Sequence, residues 1–382
     1  MRTETPPAAG PAEEHAARRS FLDRYRYPLG VWALSRLGVY LVVAMQGWTD
    51  RRPPKSGYSF SAFFVSLGDW DAGWYRWIAD HGYDPSIGHG NTAAFFPLYP
   101  LIWHPFTALP GPEVMWGSLL SSILLGAALC VLYRITQGRY DEGMARRTVL
   151  YLAIFPLTFV FSLPYAESLF LLLVLGAFAL TWYGRWWAGC AIGALAVLAR
   201  PVGIALVPAL AWRRWRQGSR RPVDYLPLLL LPAAELAFFA FLWWQTGDAT
   251  AHFEAQKRGW GRGVSALPIV MAKAGWDAVV DHHLRYLVHL AFTVLWCGLF
   301  YRAWRMRLPG EYLIFAALMI LLPTTGGLLV SMGRFGMVAF PLFWALADLG
   351  RDDRVDTAVR FLFPLLLAAL VFVTYGPRTF TP

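Results

Sequence analysis

Charged side chains are scarce in this chain: Asp, Glu, Lys and Arg make up 15% of its 382 residues, against about 25% in an ordinary soluble domain. That shortage excludes a solvated globular surface. Lysine occurs only at Lys55, Lys257 and Lys273, so the basic excess is almost entirely arginine. Cysteine is equally rare. Cys130, Cys190 and Cys297 each lie inside an apolar run, where they read as small buried hydrophobes and supply neither a disulfide framework nor a metal site. The histidines form no metal pattern: His81, His89 and His104 are scattered, and His282-His283 has no carboxylate at ligand spacing. A Walker A loop, a zincin signature, Gly-x-Ser-x-Gly and heptad repeats are all missing. Neither nucleotide use nor any cofactor is therefore indicated, and no metal is expected.

What is present is apolar surface. Apolar residues make up 57% of the chain, 19 of its residues are Trp, and the mean hydropathy is +0.42. Several apolar runs approach or exceed the ~18–20 residues that span a bilayer as helix, which makes this an all-α polytopic membrane protein. The longest gaps, about 48–113 and 247–284, are too short and too aromatic to hold an independent core. The net charge of +10 is topogenic and not a nucleic-acid footprint, because the arginines cluster beside the spans as the positive-inside rule requires. Residues 1–27, rich in Ala, Pro, Glu and Arg, read as a disordered cytoplasmic tail. Residues 28–382 read as one transmembrane domain, its first span retained because no small-residue cleavage site follows it.

Running outward from the tail, a first span over 28–47 leaves the loop 48–113 outside, with interfacial helices in it. The run 114–133 returns inward to Arg134, Arg139, Arg146 and Arg147, and spans at 148–163 and 165–182 make an outward hairpin. Residues 186–211 as one span would leave the cluster at 213–221 outside; a break at Arg200-Pro201 keeps it inside. Proline removes an intrahelical hydrogen bond and disfavours helix at the residue before it, so the break is physically reasonable. Further segments follow at 223–245, 285–301, 311–330, 336–349 and 358–376, about 10–11 membrane segments in all. The stretch 95–109 is either re-entrant or an additional span.

The most informative stretch is Gly68-Asp69-Trp70-Asp71-Ala72-Gly73-Trp74-Tyr75. Acids in or beside hydrocarbon are expensive, so two of them there mark a functional site by default. If 70–80 is helical, Trp70, Trp74 and Trp77 form one aromatic face suited to the interface, and Asp71 shares a neighbouring face with Tyr75. Asp69 is well placed to cap that helix, and capping alone accounts for these acids as readily as catalysis does. Phe95-Phe96-Pro97-Leu98-Tyr99-Pro100 suggests a bent segment packed over a cavity. Glu167 in Tyr165-Ala166-Glu167-Ser168 reads as an uncompensated acid at an outer helix end. On this topology Arg200, Lys257, Arg258 and Arg334 share its side. Guanidinium groups gathered beside a membrane cavity suit a phosphate, which they grip bidentately.

In order along the chain, Trp70-Asp71, Gly82-Tyr83, Ala94-Phe95-Phe96-Pro97-Leu98-Tyr99-Pro100, Tyr165-Ala166-Glu167-Ser168-Leu169-Phe170, Ala199-Arg200-Pro201-Val202-Gly203, Gln256, Trp260 and Arg334-Phe335 with Phe340-Pro341-Leu342-Phe343 resemble the PIG-V family of mannosyltransferases. Phe155-Pro156, Ala166-Glu167-Ser168 and Arg200-Pro201-Val202-Gly203 stand where the family usually has Asn-Pro, Ser-Glu-Ser and Arg-Ser-Asn-Gly. The resemblance implies a GT-C membrane glycosyltransferase in the cell membrane, with its active site on the extracytoplasmic face. Such an enzyme moves a sugar, usually mannose, from a polyprenyl-phosphate donor to a lipid-linked, glycolipid or lipoglycan acceptor by inverting displacement. It makes Asp71 the expected base with Asp69 as its neighbour, and Arg334, Arg200, Glu167, Gln256, Lys257, Arg258, Trp260, Trp74 and Tyr75 the expected substrate-binding residues. A lipid or sugar transporter or flippase, and a non-catalytic subunit of a glycosyltransferase complex, are the rival readings. Intramembrane charges and broken helices also mark transport sites, but no repeat relates the two halves of this sequence.

Overall fold

The computed structural model describes residues 21–49, 60–83, 87–261, 265–280, 284–376 and 380. Residues 1–20 of the expected tail, Lys55 and the His282-His283 pair lie outside them. The described residues are helical and contain no strand. Five segments are long and apolar enough to cross a bilayer: Asp23–Thr49, Glu113–Arg139, Pro222–Thr246, Tyr286–Arg305 and Asp353–Tyr375. Three shorter apolar helices, Glu167–Trp182, Trp186–Ala199 and Gly310–Thr324, have 14 to 16 residues. At 1.5 Å per residue they reach about 21–24 Å, less than the ~30 Å hydrocarbon core.

Helix α1 (Phe21–Thr49) begins seven residues before the expected boundary at 28. It runs antiparallel to the central helix, α5 (Glu113–Arg139), between α2 (Phe60–Ser66), α3 (Asp71–His81) and α4 (Leu98–Thr107) on one side of it in sequence and the rest of the bundle on the other. Small residues let these helices approach closely, the usual device where lipid removes any hydrophobic drive between helices. The Trp32 indole donates to Ser122 O at 2.6 Å, and the Tyr40 hydroxyl bonds both Ser118 and Ser122. A Cβ at Gly117 would lie 2.6 Å from the Trp103 ring of α4, so only glycine admits that indole. Ten residues long, α4 reaches about 15 Å and keeps Tyr99 and Trp103 fully buried; the stretch 95–109 is therefore no additional span.

The expected span at 148–163 is not one helix. Helix α6 (Glu142–Ala153) stops before Phe155-Pro156, and the chain proceeds through turns and a 3₁₀ segment, Thr158–Ser162, to α7 (Glu167–Trp182). Backbone freed at such a break must be satisfied within the protein. Arg36 of α1, buried and paired with no carboxylate among the described residues, does this: its guanidinium donates to Ala153 O at 3.2 Å, to Thr158 O and the Thr158 hydroxyl at 2.8 Å each, and to the Ser162 hydroxyl at 2.8 Å.

The break at Arg200-Pro201 is present. Helix α8 (Trp186–Ala199) gives way to extended backbone at Arg200 and a 3₁₀ turn, Pro201–Ala205, before α9 (Leu206–Arg216). The hairpin closes on itself, with the Arg214 guanidinium 4.7 Å from the Trp186 ring centre. A Cβ at Gly203 would meet Val197 N at 2.7 Å, so the reversal needs a residue without one. Beyond α10 (Leu230–Thr246) the second expected outer loop holds α11 (Ala251–Trp260) and α12 (Leu267–Val280). Then follow α13 (Leu284–Arg305), α14 (Gly310–Thr324), which stops short of the expected 330, α15 (Met332–Met337), α16 (Pro341–Leu349) and α17 (Asp353–Tyr375).

The basic clusters gather at one end of the bundle. Arg139 lies over the Trp182, Tyr312 and Trp344 rings, Arg302 pairs with Asp348, and Arg351 reaches Asp141. Trp212 of α9 meets Gly310 at the start of α14, whereas Ser265 donates its amide to Thr325 at the far end of that helix. Ser219 and Ser265 therefore lie at opposite ends. With the three native cysteines replaced, Ser219→Cys should react with an impermeant thiol reagent only after cells are permeabilised, and Ser265→Cys should react in intact cells; labelling of both from one side contradicts this topology.

Candidate active site

At the other end of the bundle, four charged side chains from four segments touch in sequence. Asp71, the first residue of α3, places Oδ2 2.6 Å from Arg334 Nη1 of α15. The same nitrogen lies 3.3 Å from Glu167 Oε1, at the start of α7, and Arg200 Nη1 lies 2.8 Å from that oxygen, an ion pair without the angle of a hydrogen bond. Glu167 is thus compensated twice, not uncompensated as its sequence position implied. Its side chain is 2% exposed and that of Asp71 is 18% exposed, so of the two acids only Asp71 opens to a ligand.

Aromatic rings and strained backbone hold this row in place. The Arg334 guanidinium lies over the Tyr165 ring, 5.2 Å from its centre, and Arg200 lies over Phe335 at 4.6 Å. The Tyr165 hydroxyl accepts from Asp71 N at 3.3 Å. Trp70, directly before Asp71, has φ 55, and Ser331, whose hydroxyl accepts from Arg334 Nη2 at 2.9 Å, has φ 70. Side chains other than glycine avoid that region, at a cost of about 1–3 kcal/mol each, and such residues concentrate at functional sites. Burial by itself would weaken Arg334 as a cation, but the carboxylates of Asp71 and Glu167 more than offset it and raise its pKa above the ordinary value. Burial, reinforced by the Glu167 charge, likewise raises the Tyr75 phenol above its ordinary value.

A cavity of about 670 Å³ opens beside the row, lined by Asp71, Tyr75, Arg200 and Arg334, by Gln256, Lys257 and Trp260 of α11, and by Phe95, Phe96 and Phe335. The two expected outer loops meet over it. His252 Nδ1 donates to Ala93 O at 2.9 Å, Gln256 Nε2 donates to Ala94 O at 3.1 Å, and the Trp260 ring packs edge-on against Phe95 at 5.4 Å. The Phe95-Phe96-Pro97-Leu98-Tyr99-Pro100 segment thus lies over a cavity at its Phe95-Phe96 end, as its two prolines suggested.

Seven of the expected site residues line this space: Asp71, Tyr75, Arg200, Arg334, Gln256, Lys257 and Trp260. Glu167 stands behind it, holding the two arginines. Trp74 stacks on Phe95 at 6.3 Å and so supports the wall. Arg258 is not in the lining; exposed on α11, it pairs with Glu254 at 3.6 Å. Asp69 does not line the cavity, and it is not a helix cap either: the N-cap is Trp70, with no side-chain capping bond. Trp70 therefore leaves the expected aromatic face and packs against Tyr375 at 5.3 Å. The sequence reading missed Glu235, His252 and Ser331 among the lining residues. Glu235 could have been found there, as the lone acid within 225–245.

No family model matches the chain, and no curated protein matches it. Among solved structures it is similar to the oligosaccharyltransferase of Archaeoglobus fulgidus. Against that protein in complex with zinc and sulfate, identity is 16% and the TM-score 0.46, over 91% of this chain and 53% of the other. Against the form tethered to an acceptor peptide containing the NVT sequon, the values are 15% and 0.45, over 94% and 55%. The archaeal enzyme AglB in complex with an inhibitory peptide and a dolichol-phosphate gives 14% and 0.42, over 94% and 55%. The chain thus spans about half the length of the structures it matches.

Removing one member of a buried ion network leaves its partners uncompensated, which typically costs about 3–5 kcal/mol. Glu167→Gln should therefore lower the melting temperature of the purified protein sharply, and by more than Asp69→Asn does. A thermal unfolding series over the two variants checks this, and equal melting temperatures would remove Glu167 from its central place.

Proposed function

We propose that the chain is a membrane glycosyltransferase of the GT-C type, working at the extracytoplasmic face on a polyprenyl-phosphate sugar, with mannose as the sugar. The observation that carries the reading is one cavity that holds an accessible carboxylate, two buried guanidinium groups and an aromatic wall. The aromatic residues suit a sugar face or the first isoprene units, and the guanidinium groups suit a phosphate.

In the proposed step Asp71 takes the proton from an acceptor hydroxyl as that oxygen bonds to the anomeric carbon. The bond from that carbon to the phosphate oxygen breaks, and its electron pair leaves on the lipid phosphate. Attack opposite to departure inverts the anomeric centre, so a β-linked donor gives an α-linked product. Arg334 and Arg200 stabilise the charge gathering on the leaving phosphate. Arg334 Nε supports this role, because it is buried and has no hydrogen-bond acceptor among the described residues. Charge stabilisation of this kind is usually the largest catalytic contribution, while a positioned base supplies about 10²–10⁴-fold. Glu167 keeps both arginines in place without touching substrate. Gln256, Lys257 and Trp260 come from a loop helix that lines the cavity, and their polar and aromatic groups suit the acceptor.

The test is release of lipid phosphate from polyprenyl-phosphate mannose by purified protein supplied with glycolipid acceptors. Asp71→Asn should lower turnover by at least about 10²-fold. Its melting temperature should fall less than that of Glu167→Gln, because Arg334 retains Glu167 as a partner. Wild-type turnover in Asp71→Asn removes Asp71 as the base. Movement of the lipid across vesicles without bond cleavage makes the chain a transporter.

A further inference from the structure

The bundle has a second cavity, larger than the first, that the proposed chemistry does not use. It encloses about 960 Å³ where the start of α1, the end of α5 and the start of α6 meet. Arg24, Arg26, Arg134 and Arg146 line it, with Tyr27 and Tyr133. Arg24 and Arg26 form no ion pair with any described residue. Arg134 gives one N–H to Gln137 Oε1 at 2.7 Å, and Arg146 gives its Nε to Glu142 Oε1 at 2.8 Å. Glu142 is engaged by other donors too, the Tyr133 hydroxyl and Gln137 Nε2. The only other acid in the lining is Asp23. Four guanidinium groups therefore face two carboxylates, one of them already held by three donors.

This cavity lies far from the Asp71 site. Helix α5 starts at Glu113, which pairs with Arg76 of α3 at 3.4 Å, and reaches Arg134 after 21 residues. At 1.5 Å per residue that is about 32 Å, close to the thickness of a bilayer's hydrocarbon core. The two cavities therefore face opposite leaflets. Apolar surface leads away from the basic one: Leu34 lines it and is 73% exposed, and Leu37, Leu41, Met45 and Trp48 continue the exposed side of α1 at helical spacing. A cationic recess joined to a lipid-facing apolar stripe matches a headgroup with its acyl chain below it.

We propose that this cavity binds the phosphate headgroup of an anionic glycerophospholipid in the leaflet opposite the Asp71 site, with an acyl chain along α1. Arginine clusters beside a span also arise from topology alone, which requires positive charge but neither a recess nor selectivity. A soluble phosphate would use the same guanidinium groups without the apolar stripe.

Native mass spectrometry of the purified full-length chain, titrated separately with phosphatidylglycerol, phosphatidylcholine and inorganic phosphate, decides the matter. We expect wild type to prefer phosphatidylglycerol over phosphatidylcholine by at least about tenfold. The Arg24→Gln/Arg26→Gln variant should lose that preference at an unchanged melting temperature, and Arg24→Lys/Arg26→Lys should keep most of it. Arg134→Gln supplies a second reading should the double variant fold poorly. Equal binding of both lipids, or a preference that survives both glutamine variants, overturns the proposal. Inorganic phosphate displacing the lipid at matched concentration overturns the lipid assignment in favour of a soluble anion. Loss of the preference in Arg200→Gln alone would move the lipid to the Asp71 cavity and overturn it as well. None of these readouts depends on turnover, so the proposal and the glycosyltransferase reading fail separately.

Discussion

Charge cannot be left alone beside hydrocarbon, and this constraint shapes the end of the molecule that holds Asp71 and Arg334. Two acids and two arginines buried separately would each carry a heavy desolvation cost. Arranged as Asp71, Arg334, Glu167 and Arg200 in contact, they sum to zero formal charge. The row joins α3, α7, α15 and the α8–α9 break, segments up to 263 residues apart in sequence. Helix packing alone would leave these four pieces free to shift against one another; the ion network fixes them.

The row also sorts its members by access. Glu167 is sealed beneath the others, while Asp71 at the far end opens to the cavity. An acid held against a buried guanidinium group is fixed in place and aimed. Trp70 and Ser331 adopt disfavoured backbone on either side of the Asp71–Arg334 contact, and only strong surroundings sustain such strain. Arg36 plays a comparable part deeper in the bundle, where it satisfies the carbonyls of irregular backbone between α6 and α7. Both devices let non-helical chain exist where lipid would forbid it.

The sequence announced much of this arrangement. Asp71, Glu167, Arg200 and Arg334 stood out because charges in apolar runs are costly, and the break at Arg200-Pro201 followed from proline's missing N–H and the charge rule. What it could not announce was who meets whom. Glu167 looked uncompensated because its two partners lie 33 and 167 positions away. Asp69 looked like a cap because local spacing allows it, yet the strained turn at Trp70 moves the helix start by one residue. The expected span at 148–163 failed for a related reason: apolar composition does not distinguish a lipid-facing helix from irregular chain buried in protein and held by a distant arginine. Glu235 carried the same signal as the others, an acid deep in an apolar run, and was passed over.

In the proposed reaction Arg334 serves the donor phosphate while it also contacts Asp71 at 2.6 Å, so the two anions compete for one guanidinium group. Binding of a short-chain polyprenyl phosphate to wild type and to Asp71→Asn, measured by calorimetry, tests this without any acceptor or turnover. Asp71→Asn removes a repelling anion and frees a guanidinium group, so the variant should bind the phosphate more tightly than wild type while being unable to act as a base. Equal or weaker binding by Asp71→Asn, in protein whose melting temperature shows it is folded, would contradict the account.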